Sequence, residues 1–196
     1  HGERTHNILS HSSVAIAGLG GLGSNIAMYL ARAGVGHLHL VDFDKVDITN
    51  LNRQQYDIAD LGTLKTDALT KNIKRFNPFI EITSQCVKVN EDNAAEIFVG
   101  YKIVCEAFDK AENKAMLVNS ILSECGDTKI VSGSGMAGFG SSNTIVTRKI
   151  NDRFYLCGDA ESDMNDGLAL AAPRVAICAA HEANMILRLL IGEKEV

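Results

Sequence analysis

Ser13-Val-Ala-Ile-Ala17, followed by Gly18-Leu-Gly-Gly-Leu-Gly23 and a run out to Ala33, decides the fold of this chain. Ser13 to Ala17 is short and apolar and reads as a buried strand. Gly21 to Ala33 reads as a helix with Ile26, Leu30 and Ala33 on one face. Glycines between them permit a tight turn and let the backbone approach a phosphate, while the free N–H groups of the helix start face that anion. The alternative is a turn that only packs helix against strand. Asp42 closes the next strand about 20 residues on, where a carboxylate reaches a ribose hydroxyl. Strand, glycines, helix and acid together predict a nucleotide site with Gly18, Gly20, Gly21, Gly23 and Asp42 in it. They do not separate NAD from ATP.

Working outward, short β-branched runs alternate with helical stretches, the signature of βαβ units. His37 to Val41 reads as the second strand. Asp44 to Asp60 is polar, irregular and long enough to be functional. Leu64 to Phe76 is a helix stopped by Pro78. Ile80 to Ser84, Lys102 to Glu106 and Lys129 to Ser132 are further strands; Asn93 to Phe98 and Ala111 to Glu124 are helices. After Gly133 the pattern changes: Ser142 to Thr147 and Arg153 to Leu156 alternate as antiparallel strands do. Gly158 to Gly167 is acidic and loose, a candidate mobile loop. Pro173 suits the first turn of a long last helix and Gly192 its end. The pattern predicts an α/β fold, doubly wound, with a mostly parallel Rossmann-like sheet and an antiparallel extension, as one domain over residues 1–196.

The 196 residues are enough for one sizeable core, and 17 glycines suit an α/β domain. A net charge of −5 gives no general attraction to nucleic acid or anionic membrane. No apolar run reaches the roughly 18 residues of a membrane span. His1 to His11 is polar, with no signal-peptide pattern, and the first residue is not Met. Five scattered cysteines, none spaced CxxC, predict reduced thiols in a cytoplasmic protein.

Asp42-Phe-Asp44, Asn50-Leu-Asn-Arg53-Gln54 and Lys65 form a second motif. Attack at an α-phosphorus builds charge on phosphate oxygens, which fixed Arg and Lys groups neutralise. A dinucleotide enzyme needs no such pair. The alternative is that Arg53 and Lys65 are ordinary surface cations. The third motif is Glu106-Ala-Phe-Asp109 at the end of the fourth strand. Ligands of open parallel sheets bind beyond the carboxyl ends of strands. Asp109 is therefore placed either to hold Mg2+ on a triphosphate or to cap the following helix. Glu106 reads as a solvated strand end.

These motifs together resemble the ThiF/MoeB group of ubiquitin-activating-type adenylyltransferases, from Ser13 to Leu190. The runs Ala172-Pro-Arg-Val175 and Ala179-Ala-His-Glu-Ala-Asn184 are similar to the short ThiF subgroup linked to thiamine synthesis. The resemblance implies that MgATP lies against Gly18, Gly20, Gly21, Gly23, Asp42, Asp44, Asn50, Arg53, Gln54 and Lys65. Asp42 would hold the ribose, Arg53 and Lys65 the triphosphate, and Asp109 the Mg2+. It implies activation of the C-terminal glycine carboxylate of a ThiS-like sulfur carrier, with release of pyrophosphate. It also implies a homodimer, in which Arg4 is the candidate to reach the partner's nucleotide. The carrier tail is expected near Asp109 and Gly133 to Gly140, where Ser132-Gly-Ser-Gly135 offers backbone groups. Two departures stand out. The group's usual Asp-Asn pair is Asp109-Lys110 here, and the two zinc-binding CxxC pairs of many members are missing, so no zinc is predicted.

Cys157, beside the loose loop, is the candidate for a thiol that joins the carrier covalently; the alternative is a plain free thiol. Cys86, Cys105 and Cys178 lie in apolar runs and read as core. The histidines are too dispersed for a metal set, and Met164 in the loose loop could grip a partner tail or be merely solvated. Three rivals remain. One is a related enzyme adenylating another carrier, a small molecule or tRNA. The others are an NAD(P)-dependent oxidoreductase, for which little chain is left as a substrate domain, and a silent binding module.

Overall fold

A computed structural model of the chain describes residues 2–162 and 167–196. Its sheet runs β3-β2-β1-β4-β5-β7-β6. The strands are β1 (Ser13–Ala17), β2 (His37–Val41), β3 (Glu81–Gln85), β4 (Ile103–Glu106), β5 (Lys129–Gly133), β6 (Val146–Lys149) and β7 (Phe154–Gly158). The first five are parallel, β7 joins β5 in parallel, and only β6 runs antiparallel, against β7. The expected antiparallel extension is therefore one strand. Ser142–Thr144, read from the sequence as the start of that strand, is a 3-10 turn capped by the Ser141 hydroxyl.

Alternate residues of each central strand face opposite layers, as a pleated strand requires. Val14 and Ile16 pack with Leu38 and Leu40 under α2 (Gly21–Ala33), α3 (Lys65–Lys74) and α6 (Ala172–Leu190). Ala15 and Ala17 pack with Val41 and Val104 under α4 (Ala94–Phe98) and α5 (Ala111–Glu124). The sheet is thus doubly wound. α2 lies against α6, so the glycine turn and the start of the last helix are neighbours.

Glu3–Ser10 forms a helix, α1, that the polar composition of the N-terminus did not reveal; it buries Leu9. Asp44 to Asp60 has no strand and no α-helix. It is ordered instead by two short 3-10 turns, Ile48–Asn50 and Ile58–Asp60, each closed by a reciprocal Asp capping box. Pro stands in the first turn of α6, and Gly192 follows the helix with φ +94°. Among the described residues no helix is long and apolar enough to cross a membrane.

Candidate functional site

Between β1 and β4 the strand order reverses, and ligands of open parallel sheets bind at that point beyond the carboxyl ends. Gly18 to Gly23 follows β1 there, and Ala107 to Asp109 follows β4. A cleft of about 1000 Å³ opens between them. Gly18, Gly20 and Gly21 form one part of its wall; Asp42, Asp44 and Asp109 supply carboxylates; Asn50, Arg53, Gln54 and Lys65 supply polar and cationic groups. Four separate segments thus bring the predicted residues to one cavity.

Gly23 is off the wall and does a different job. A Cβ there would run into the Gly18 carbonyl, so Gly23 lets the turn fold onto the first turn of α2. Gly18 has φ +90°, which a side chain would strain, and a Cβ on it would lie 2.8 Å from the Ala107 carbonyl oxygen. The Leu19 peptide is pinned from both sides. Its N–H donates to Asp42 Oδ2 at 2.6 Å, and its carbonyl accepts the Tyr56 hydroxyl at 2.8 Å. No side chain caps α2, so its first amides remain available to an anion. Asp42 also accepts the Asp44 amide at 2.7 Å; it shapes the turn before it meets any ligand.

Asn25 of α2 also fastens the chain at Arg53 and Gln55. Asn25 Nδ2 donates to the Gly21 and Arg53 carbonyls at 2.7 and 3.1 Å, and Asn25 Oδ1 accepts Gln55 Nε2 at 2.7 Å. Arg53 Nη1 donates to Thr49 O and Asn52 Oδ1. Arg53 Nε and Gln54 Oε1 are buried without a partner in the protein. Buried polar atoms are nearly always bonded; His39 Nε2 and Arg174 Nε also lack partners, but only Arg53 and Gln54 line the cleft, where a bound group could reach them. Tyr56 and Asn25 carry the arrangement, and sequence reasoning missed both. A lone aromatic in a polar stretch was the available signal for Tyr56.

Lys65 is 6% exposed, which sets aside the surface-cation alternative. Its Nζ lies 3.0 Å from Asp44 Oδ2 on the cleft wall. Asp109 does not cap α5: the cap position is Lys110 and no side chain fills it. Asp109 stays exposed on the cleft wall. Glu106 departs from its reading as a solvated strand end, because it is fully buried. Its carboxylate accepts the Phe108 amide at 2.7 Å, Ser132 Oγ at 2.5 Å and Lys114 Nζ at 3.1 Å. It therefore fastens the turn that carries Asp109 to β5 and α5. Burial alone would lower the Lys114 ammonium, but the charges of Glu106 and Glu182 outweigh it and raise it.

The rest of the lining includes Gly133 to Ala137 with Ser162 and Leu170, a far wall that Val175 joins to the glycine turn. Several backbone groups expected to meet a carrier tail are already used. Ser134 N–H donates to Cys157 O at 2.7 Å, and the Ser134 and Gly135 carbonyls accept Ala160 and Asp159 N–H. Cys157 is a core residue rather than a reactive thiol: it is fully buried, and burial, then Glu182, push its thiol up to about 12. Cys105 and Cys178 are buried as expected, whereas Cys86 is exposed just past the edge strand β3. Met164 lies outside the described residues. Glu182, beneath Gly133, is fully buried; burial raises its carboxyl to about 8. Among the described residues, no group of three or more His, Cys, Asp and Glu could hold a metal ion by protein ligands alone.

A triphosphate with a divalent cation fits this wall on three observations. Arg53 Nε and Gln54 Oε1 lack partners, the space over Gly20 is open to 3.9 Å, and Asp109 presents a carboxylate to the cleft. Mg2+ takes one or two carboxylates and completes its shell with phosphate and water, so one Asp suffices.

Fold and site define a doubly wound nucleotide-type domain with a cationic cleft at its switch point. The chain belongs to the ThiF family, whose model matches residues 1–196. It is 39% identical over 129 residues to the adenylyltransferase and sulfurtransferase UBA4 of Scheffersomyces stipitis, covering 65% of this chain and 29% of that protein. It is 35% identical over 120 residues to the Escherichia coli tRNA threonylcarbamoyladenosine dehydratase, covering 60% and 45%. The matched stretches thus span less than half the length of these relatives. The E. coli dehydratase structure with ATP superposes with a TM-score of 0.87 at 23% identity, covering 97% of this chain and 90% of that one. E. coli MccB with ATP gives 0.74 at 21%, covering 97% and 59%. These likenesses establish the fold.

Proposed function

We propose that residues 1–196 form a single adenylation domain that activates the C-terminal glycine carboxylate of a ThiS-like sulfur-carrier protein with MgATP. The observation that carries the reading is the convergence of Gly20, Gly21, Arg53, Gln54, Lys65 and Asp109 on one cleft, with two buried polar atoms there unpartnered. The ThiF-family match and the resemblance to the UBA4 protein support it.

The chemistry follows from the placement. A carrier carboxylate is ionised at neutral pH, so no general base is needed. Its oxygen forms a bond to the α-phosphorus, the bond from that phosphorus to the bridging oxygen breaks, and pyrophosphate leaves with that electron pair. Arg53 and Lys65 would offset the charge on the phosphate oxygens. Asp109 would hold the Mg2+, which supplies further charge neutralisation. Lys65 would exchange Asp44 for phosphate. The cleft walls hold the two reactants together, which removes most of the entropic barrier. A role in thiazole formation, a cytoplasmic location and a homodimer in which Arg4 reaches across belong to the same reading.

A second reading makes the substrate a modified tRNA, as the name of the E. coli relative states for that enzyme. The net charge of −5 favours the carrier over a polyanion. ATP–pyrophosphate exchange decides between them. Exchange that requires an added purified ThiS-like protein supports the proposal. Exchange that requires tRNA transfers the function to the second reading. Failure to bind ATP at all leaves a silent module, and nicotinamide fluorescence on binding would indicate an oxidoreductase.

A further inference from the structure

Arg174 stands in the first turn of α6, is 5% exposed, and does not touch the cleft. Its guanidinium nevertheless joins two loops that build the cleft wall. Nη1 donates to the Gly140 and Ser141 carbonyls at 2.9 and 2.8 Å, and Nη2 donates to Thr144 Oγ1 at 3.1 Å and to Asp159 Oδ2 at 2.5 Å. Asp159 Oδ1 then accepts the amides of Glu161 and Ser162, both at 2.9 Å, and the Ser162 hydroxyl at 3.1 Å. Ser162 Oγ in turn accepts the Ala137 amide at 3.1 Å. Gly135 must be glycine, because a Cβ there would collide with the Asp159 carboxylate. One chain of bonds therefore runs from α6 through both loops to Ala137 and Ser162, which line the cleft.

The next residue, Val175, faces the other reactant. It lines the cleft, and a Cβ on Gly21 would meet its Cγ1 at 3.1 Å. Adjacent residues of one helix turn thus touch the glycine turn and anchor the opposite wall. We infer that Arg174 and Asp159 are positioning residues for the second substrate, fixing the Gly133–Ala137 wall at a set distance from the nucleotide turn so that the incoming carboxylate meets the α-phosphorus in line. The inference rests on the adenylation reading for its substrate and on the structure alone for its geometry. Arg suits the role better than Lys, since a planar fork can serve four acceptors that a point charge cannot.

The test uses Arg174→Lys, Asp159→Asn and Thr144→Val, with carrier-dependent ATP–pyrophosphate exchange and hydrogen exchange as readouts. Thr144→Val removes one acceptor at an exposed position, and serves if the others fail to fold. The expected result is a KM for a purified ThiS-like carrier raised at least tenfold for Arg174→Lys and Asp159→Asn, and about threefold for Thr144→Val. The KM for ATP stays within twofold. Amide exchange in 134–144 accelerates at least tenfold, while 18–23 is unchanged. Equal rises in both KM values, or unchanged exchange in 134–144, would overturn the inference. If the parent protein shows no carrier-dependent turnover, the adenylation reading fails instead. Hydrogen exchange and ATP affinity then decide the positioning role without it.

Discussion

The two walls of the cleft are built on opposite principles. The nucleotide wall presents unpaired groups: bare amides at the start of α2, an orphaned Arg53 Nε and Gln54 Oε1, and the exposed Asp109. The far wall is closed on itself, with Arg174 and Asp159 buried as an ion pair and the backbone of Ser134 and Gly135 bonded to β7 and the loop that follows it. A wall that must receive several negative charges keeps its polar groups open. A wall that must hold an orientation bonds most of its own, and of Arg174 only Nε is left without a partner. Leaving buried polar groups unmade costs about 1–3 kcal/mol each, so the open wall accepts a penalty that a bound ligand would relieve.

Removing charge from the open wall should produce the largest effects. Asp109→Ala is expected to lower carrier-dependent pyrophosphate exchange about 10²–10³-fold, the scale of losing one transition-state charge stabiliser, while ATP binding falls less. Exchange at the parental rate would break the distinction between the walls. Arg53→Met should cost roughly 10–100-fold in kcat/KM, about 1.4–2.7 kcal/mol, and shift the thermal midpoint little, because its Nε bonds nothing in the protein and its Nη1 bonds to Thr49 and Asn52 are exposed.

Buried groups away from the open wall should respond in stability. Glu106→Gln is expected to destabilise the fold by about 1–3 kcal/mol in urea titration, since it disturbs the bonds to Phe108, Ser132 and Lys114. Glu182 supplies a pH signature. Burial holds its carboxyl at about 8, whereas an unfolded Glu titrates at roughly 4.3. The folded state binds this proton more tightly, so its contribution is complete below the unfolded value, declines as pH rises through the interval and levels off above about 8. Glu182→Gln should flatten the fall of the thermal midpoint between about pH 5 and 8. An unchanged slope would show that Glu182 is ionised in the fold. The smallest effect belongs to Cys157→Ala, whose exchange activity should stay within about twofold because the thiol faces the core. A thioester between the carrier and Cys157, formed with release of AMP and found by mass spectrometry, would restore a covalent role for that sulfur.

The same contrast explains what could be read from the sequence. That Gly18, Gly20, Gly21 and Asp42 share a cleft was legible because one βαβ unit sets their spacing, and Arg53, Lys65 and Asp109 join them because the loops after β2 and β4 end at the same switch point. The strands β1 and β2 and the helices α2 and α5 fall at their expected bounds, since their apolar period is local. Tyr56, Asn25, Glu106 and Arg174 were not legible as partners. Each acts through contacts more than 20 residues away or across strands, as with Tyr56 to Leu19 and Arg174 to Gly140, and no local pattern records such pairings. The burial of Cys157 was not legible for a related reason: proximity to a loose loop in sequence does not reveal that β7 turns its side chain inward, which favours the plain free thiol. Glu106 looked solvated because a strand end is usually exposed, and only the meeting of β5 and α5 over it reverses that.

The convergence of the open wall on a triphosphate is tested most directly by the structure of this protein with a non-hydrolysable ATP analogue and Mg2+. The triphosphate should lie against the Gly20 and Gly21 amides, with Arg53 and Lys65 in hydrogen-bond reach of its oxygens and Asp109 at the cation directly or through water. A nucleotide bound elsewhere, or an Asp109 turned away from it while Lys65 remains on Asp44, would contradict the account.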